Sequence, residues 1–286
     1  MTARILDGRA IAQEISRETL EVVAGLERDG VRRPAIAVVR VGADAASIRY
    51  ATRLQKVFEE AGLGFRGVRL PDSTSDAELF RALTALSVEA AVTGILLQFP
   101  LPKHLSVDRA VHAIDPAKDI DGVHPLNAGR LFFGRGRFFA PATPLGGMEL
   151  LRRAAIRLVG SHAVVVGRSD IVGKPMACLL LGQHATVTVC HSRTADLARY
   201  TRQADILAVA VGRPGLITGD MVSPGVTILD FGMNLVDGVL VGDVDAASVT
   251  PVAGAITPVP GGTGPMTNAM LLANTLRAAR WRAGAE

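Results

Sequence analysis

Residues 163–175 constrain the fold more tightly than any other part of the chain. They read Ala163-Val164-Val165-Val166, then Gly167-Arg168-Ser169-Asp170-Ile171-Val172-Gly173-Lys174-Pro175. Four consecutive apolar residues are too few for a helix and suit a strand covered on both faces. Gly167 ends that strand, and a helical pattern follows from Pro175 to Leu181. Proline suits a first helical turn because the N–H it lacks would have had no partner there. A strand, a glycine turn and a helix start aim free backbone N–H groups at whatever lies above the turn, usually a phosphate. The rest of the chain must then supply something for a nucleotide to react with.

Strand and helix patterns alternate on both sides of this stretch, as in a parallel sheet. Helical spacing runs over 8–28 (Ile11, Ile15, Leu20, Val23, Leu26) and stops at Asp29-Gly30. Residues 35–41 predict a strand, 45–62 a helix stopped by Gly62, 68–70 a short strand, and 76–86 a helix capped by Ser75. Residues 94–102 predict a buried strand entering a proline-stiffened loop. Residues 115–146, rich in Asp, Gly, Pro and Phe, show little periodicity and mark the expected crossing between domains. Helix follows over 148–158. Later segments predict strands at 185–190, 206–211 and 227–231, a helix over 194–204, and a closing helix over 267–282 capped by Thr267.

Bulk properties exclude several classes. The chain has 286 residues and is 49% hydrophobic, enough to bury a core. A net charge of +4 is scattered, and two Tyr and one Trp leave no aromatic interleaving for base stacking, so no nucleic-acid partner is expected. Cys178 and Cys190 form neither a CxxC pair nor a metal-ligand spacing, so no metal is expected. No apolar run approaches the about 20 residues that span a bilayer, and no signal core opens the chain. A cytoplasmic protein without a membrane partner is expected.

The glycine turn departs from the common dinucleotide fingerprint, whose glycines fall at i, i+2 and i+5. Gly167 is followed by Ser169 at i+2 and Gly173 at i+6. The next strand ends His191-Ser192-Arg193-Thr194, with no acid to hold ribose hydroxyls and with an Arg instead. Arg168 and Arg193 with the Ser192 hydroxyl suit a 2′-phosphate, which favours NADP over NAD. His191 reads as a loop residue. The candidate cofactor-binding set is Gly167, Arg168, Ser169, Gly173, Ser192, Arg193 and Met233.

Five segments together resemble the bifunctional methylenetetrahydrofolate dehydrogenase/cyclohydrolase family: Gly167 to Met176; His191 to Thr194; Pro258-Val259-Pro260-Gly261-Gly262 with Gly264-Pro265-Met266-Thr267; Gly94 to Pro102; and Lys118-Asp119 with Asp121-Gly122. The resemblance covers essentially the whole chain. It implies an α/β fold of two domains flanking a cleft, the second a Rossmann-like NADP-binding domain, and a homodimer. The expected division is 1–140 for folate binding and catalysis, with a closing helix 265–286 packing back on it, and 141–264 for NADP. The implied reaction is hydride transfer from the methylene bridge of a folate, often followed by hydrolysis of the methenyl ring.

Candidate substrate residues follow from the same matches. Ser47 and Tyr50 open the long helix, and Tyr50 would pack on or hydrogen-bond the folate ring. Gln98 can donate and accept beside a catalytic base. Asp121 would bind the polar edge of the pterin. Pro258, Gly261 and Gly262 complete the substrate set, and Tyr50, Gln98 and Asp121 are the catalytic candidates.

One departure stands out. The family's catalytic lysine lies four residues after the tyrosine, and here that position is Leu54. Leucine transfers no proton. At about 100° per residue, Arg53 lies about 60° to one side of Tyr50 and Lys56 about 120° away. Arg53 stays protonated and is a poor base, and Lys56 should point elsewhere. The expectation is an NADP-dependent dehydrogenase whose cyclohydrolase step is weak or absent. A fully bifunctional enzyme, an idle binding homologue and a different one-carbon carrier remain the competing readings.

Overall fold

The computed structural model describes residues 2–284. The elements in order are β1 (Arg4–Ile5), α1 (Gly8–Arg28), β2 (Ala35–Val41), α2 (Ala45–Glu60), β3 (Gly64–Leu70), α3 (Asp76–Val88), β4 (Gly94–Leu97), α4 (Val107–His112) and α5 (Pro125–Phe133). Then come α6 (Ala142–Arg153), β5 (His162–Val166), α7 (Gly173–Gly182), β6 (Thr186–Cys190), α8 (Leu197–Thr201), β7 (Ile206–Val209), β8 (Thr227–Asp230), β9 (Asn234–Val236), β10 (Val239–Val241), α9 (Ala246–Val249), β11 (Ala255–Ile256) and α10 (Thr263–Arg282). Two compact units result: Met1–Ala12 with Thr143–Thr267, and Gln13–Ala142 with Asn268–Glu286.

The unit containing Gln13–Ala142 is built on a three-stranded parallel sheet, order β3-β2-β4. Strand β4, and β2 apart from Arg40, are apolar on both faces, as a covered parallel sheet requires. Ala37, Val39, Val41, Ile95 and Leu97 pack on Leu79, Leu83 and Leu86 of α3. Ser75 caps α3 in a reciprocal box with Glu78. The opposite face meets α2, where Phe58 sets its ring against Phe65 of β3 at 6.4 Å. Asn274 of α10 donates to Ile120 O at 2.7 Å, and Phe139 stacks on Trp281 at 4.7 Å, so the closing helix is tied into this unit.

The other unit carries a six-stranded parallel sheet, order β1-β11-β8-β7-β5-β6. Strands β6 and β7 flank β5 on opposite sides. The crossovers out of β5 and β6 therefore diverge, and the turn after β5 stands at a topological switch point, where open α/β sheets bind ligands.

Several elements differ from the sequence expectations. The N-terminal residues, expected in the first domain, contribute β1 to the six-stranded sheet instead, pairing Arg4 with Ala255. Helix α5 arises inside the segment read as irregular. Pro125 opens it, His124 caps it through Leu126 N, and Gly134 ends it at φ 62°. Helix α6 begins at Ala142 and is over before Ala155, whose φ of 54° lies in the left-handed region. Helix α8 shrinks to five residues. Thr267 is not a cap: α10 starts at Thr263, and the Thr267 hydroxyl donates back to Thr263 O. Among the described residues, no helix is long and apolar enough to cross a membrane.

Candidate active site

The substrate candidates on α2 are positioned by a helix N-cap. Asp44 accepts from Ser47 N at 2.7 Å and from the Ser47 hydroxyl at 2.9 Å. The Ser47 side chain is thus engaged in the cap, and its carbonyl oxygen receives Gln98 Nε2 at 3.2 Å. Gln98 follows β4, is 6% exposed, and leaves its Oε1 buried without a partner. A buried acceptor without a donor costs about 1–3 kcal/mol unless a ligand or water supplies one. Tyr50 is half-buried. Burial first, and then the charge of Asp121, push its hydroxyl above the ordinary value, with Arg53 opposing. Tyr50 and Asp121 are therefore neighbours electrostatically.

Asp121 sits in a loop held almost entirely by backbone and buried polar groups. Asp119 is fully buried and accepts from Val123 N at 3.1 Å, His124 N at 2.8 Å and Asn127 Nδ2 at 2.8 Å. Gly122 adopts φ 68°, and a Cβ there would collide with the 140–141 backbone. Burial raises the Asp119 carboxyl to about 6 against those hydrogen bonds. Burial first, and then the nearby Asp119 charge, raise Asp121 to about 7, with the Ala142 N–H opposing. Asp121 therefore titrates within the working range of an enzyme, whereas an ordinary aspartate would not. Lys118 serves the fold instead. Its ammonium donates to Leu86 O at 3.0 Å and Glu89 O at 2.7 Å, closing the carboxyl end of α3.

Leu54 follows Tyr50 on the same helix face and is wholly buried. Lys56 is 77% exposed and pairs with Glu60 at 3.7 Å, away from the buried stripe. Arg53 is exposed. Neither neighbour brings a titratable amine into the position of Leu54.

In the other unit, Gly167 adopts φ 126°, and a Cβ there would strike the Ala210 carbonyl oxygen. A Cβ on Gly173 would strike the Gly167 carbonyl. Both glycines are therefore required by close backbone approach. Ser169 Oγ accepts from Val172 N and Gly173 N, each at 3.2 Å, and shapes the turn into α7. Arg168, Ser192 and Arg193 are exposed, and no ion pair engages either guanidinium among the described residues. The ring of His191 accepts from Arg193 N at 3.2 Å, a turn-building role. Met233 is 65% exposed. Uncommitted cations above a backbone cradle suit a phosphorylated nucleotide.

Pro258, Gly261 and Gly262 belong to this unit, not to the one carrying Tyr50. Gly262 N donates to Pro258 O at 2.8 Å, and Gly261 takes φ 115°. Two buried carboxylates that the sequence motifs do not reveal shape the neighbouring loops. Asp243 accepts from Val211, Gly212 and Arg213 N and from Asn234 Nδ2. Asp230 accepts from Gly232, Asp243 and Val244 N. Burial raises Asp230 to about 6 despite those bonds. Their only sequence signal is an Asp at each end of the 230–243 hairpin segment.

Comparison with known families covers both units. Residues 6–121 match the tetrahydrofolate dehydrogenase/cyclohydrolase catalytic domain, and residues 141–283 match its NAD(P)-binding domain. The chain belongs to the tetrahydrofolate dehydrogenase/cyclohydrolase family. A relative from a Roseiflexus species, named bifunctional protein FolD, is 55% identical over 282 residues, spanning 98% of this chain and 97% of its own length. A relative of the same name from Chloroflexus aurantiacus is 53% identical over 285 residues, covering 99% and 100%. The crystal structure of the bifunctional FolD methylenetetrahydrofolate dehydrogenase/cyclohydrolase from Campylobacter jejuni superposes with a TM-score of 0.96 at 43% identity, covering 98% and 99%. The Trypanosoma brucei enzyme, solved with NADP and an inhibitor, gives 0.94 at 38% identity over 99% of each chain. The family assignment drawn from the sequence motifs therefore stands.

Proposed function

We propose that this chain oxidises 5,10-methylenetetrahydrofolate to 5,10-methenyltetrahydrofolate with NADP, acting as a cytoplasmic homodimer. One observation carries the reading: within residues 6–121, which match the family's catalytic domain, Gln98 Oε1 is a buried acceptor without a partner, and Tyr50 and Asp121 interact electrostatically. The glycine turn and the uncommitted Arg168 and Arg193 fit the cofactor, and a relative binds NADP. When bound, the nicotinamide accepts the hydride that leaves the methylene carbon. The chain's own residues orient the substrate: Asp121 takes the N–H edge of the pterin, Gln98 offers its Oε1, and Tyr50 packs beside the ring. Hydride loss is driven by the adjacent nitrogen lone pair, so positioning matters more here than proton transfer.

Hydrolysis of the methenyl ring makes other demands. Water must be deprotonated and a leaving nitrogen protonated, and general acid–base catalysis contributes about 10²–10⁴-fold to such steps. Leu54 supplies none of it, and Lys56 is directed to solvent. The cyclohydrolase step is accordingly weak or absent. A second reading, full bifunctionality, is favoured by the names of relatives 53–55% identical to this chain.

The test is NADPH absorbance with methylenetetrahydrofolate, run with NADP and with NAD. Steady formation of the reduced cofactor, faster as NADPH from NADP than as NADH from NAD, is expected. No turnover with either cofactor would leave only an idle binding homologue.

A further inference from the structure

Strand β2 carries a cation that the reaction as described leaves unused. Ile36, Val38 and Arg40 share one face of the sheet, because side chains alternate along a strand. Ile36 pairs with Phe65, whose ring meets Phe58 of α2, so this is the face that α2 covers. Gln98 N donates to Val39 O at 2.9 Å, which carries the β2–β4 ladder one residue beyond Val39–Leu97. Arg40 and Gln98 therefore stand side by side. The Gln98 side chain reaches Ser47 O at the start of α2, on that same face.

Both neighbours are incomplete. Arg40 Nη1 is buried without a hydrogen-bond partner, and so is Gln98 Oε1. Arg40 is also in register with Arg69, and no ion pair engages either guanidinium among the described residues. A buried donor and a buried acceptor in adjacent positions, beside a second cation, are poorly matched to an empty site. Buried polar groups are almost always satisfied, so a ligand or water belongs there.

We propose that Arg40 is a substrate-contacting residue, donating Nη1–H to an acceptor oxygen on the head group of the bound folate beside Gln98. This rests on the folate reading above. It also gives the α2 face a positive charge where Leu54 provides none. A guanidinium supplies charge and hydrogen bonds but no proton transfer at neutral pH. The site is thereby suited to holding a folate and poorly suited to hydrolysing one.

The experiment compares wild type with Arg40→Met and Arg40→Lys, measuring KM for methylenetetrahydrofolate, KM for NADP, kcat and Tm. A charge-assisted hydrogen bond predicts a rise of about tenfold or more in the folate KM of Arg40→Met, partial rescue in Arg40→Lys, and an unchanged NADP KM. Tm should not fall, because Nη1 has no protein partner to lose. Calorimetry with tetrahydropteroate, which lacks the glutamate tail, should show the same loss. If that loss vanishes, the contact is with the tail and the head-group assignment is wrong. A lower Tm with an unchanged folate KM makes Arg40 merely structural. Wild type that neither oxidises methylenetetrahydrofolate nor binds tetrahydropteroate would remove the folate reading and this inference together.

Discussion

The two candidate half-sites are made of different materials. The cofactor side is mostly backbone: Gly167 and Gly173 pack against carbonyls, Ser169 ties the turn, and arginines lie at the rim. The substrate side is mostly side chains: Tyr50, Gln98 and Asp121 converge from a helix, a strand end and a buried loop. A backbone site tolerates changes at its rim but no added Cβ at its glycines. A side-chain site can keep its shape while losing one chemical capacity, which is the part the proposed function gives to Leu54. It fills its place in the core completely and transfers no proton.

That contrast makes asymmetric predictions. The largest effect belongs to Gly173→Val, whose side chain would enter the Gly167–Arg168 backbone. NADP affinity should fall at least about 100-fold, roughly 3 kcal/mol, while tetrahydropteroate binding survives. Calorimetry with both ligands checks this, and NADP binding at wild-type strength would show that the turn is not the cradle.

Asp121 yields a smaller effect with a definite pH sign. Its carboxyl is pushed up to about 7, so the fold favours the protonated form. The stability this contributes is complete below about pH 4 and is lost as pH rises through about 7. Asp121→Asn should therefore raise stability at pH 8, on the order of 1–3 kcal/mol, and leave it unchanged at pH 4. Function runs the other way. In the proposed function the ionised carboxylate binds the pterin, so the wild-type folate KM should climb as pH falls below about 7. Denaturation curves and KM at both ends of that range separate these effects, and a flat KM profile would remove Asp121 from the site.

Legibility in the sequence follows the same division. The β5–Gly167–α7 unit can be read because its requirements are local: a buried strand, a glycine and a proline in the first helical turn. Helix α5 is hidden because its signals, Pro125 and Gly134, lie among residues that also suggest loop. The β9–β10 hairpin is absent from the sequence expectations, although Asp237-Gly238, with φ of 49° and 78°, is a strong two-residue turn signal. The short strand β1 falls in the wrong domain on sequence alone because two residues carry no periodicity, and only pairing with β11 places them. Leu54 emerges through resemblance, since an apolar residue on a helix face raises no alarm. The place of Arg40 beside Gln98 requires strand register, which no local pattern encodes.

In the function proposed for this chain, oxidation and hydrolysis come apart at residue 54. The direct measurement follows the decay of methenyltetrahydrofolate absorbance with purified wild type and with Leu54→Lys, alongside NADPH formation by each. Wild type should form NADPH while hydrolysing the methenyl ring little faster than buffer, and Leu54→Lys should gain hydrolysis by about 10²-fold or more. Wild-type hydrolysis that keeps pace with its own NADPH formation would show that the two steps were never separated.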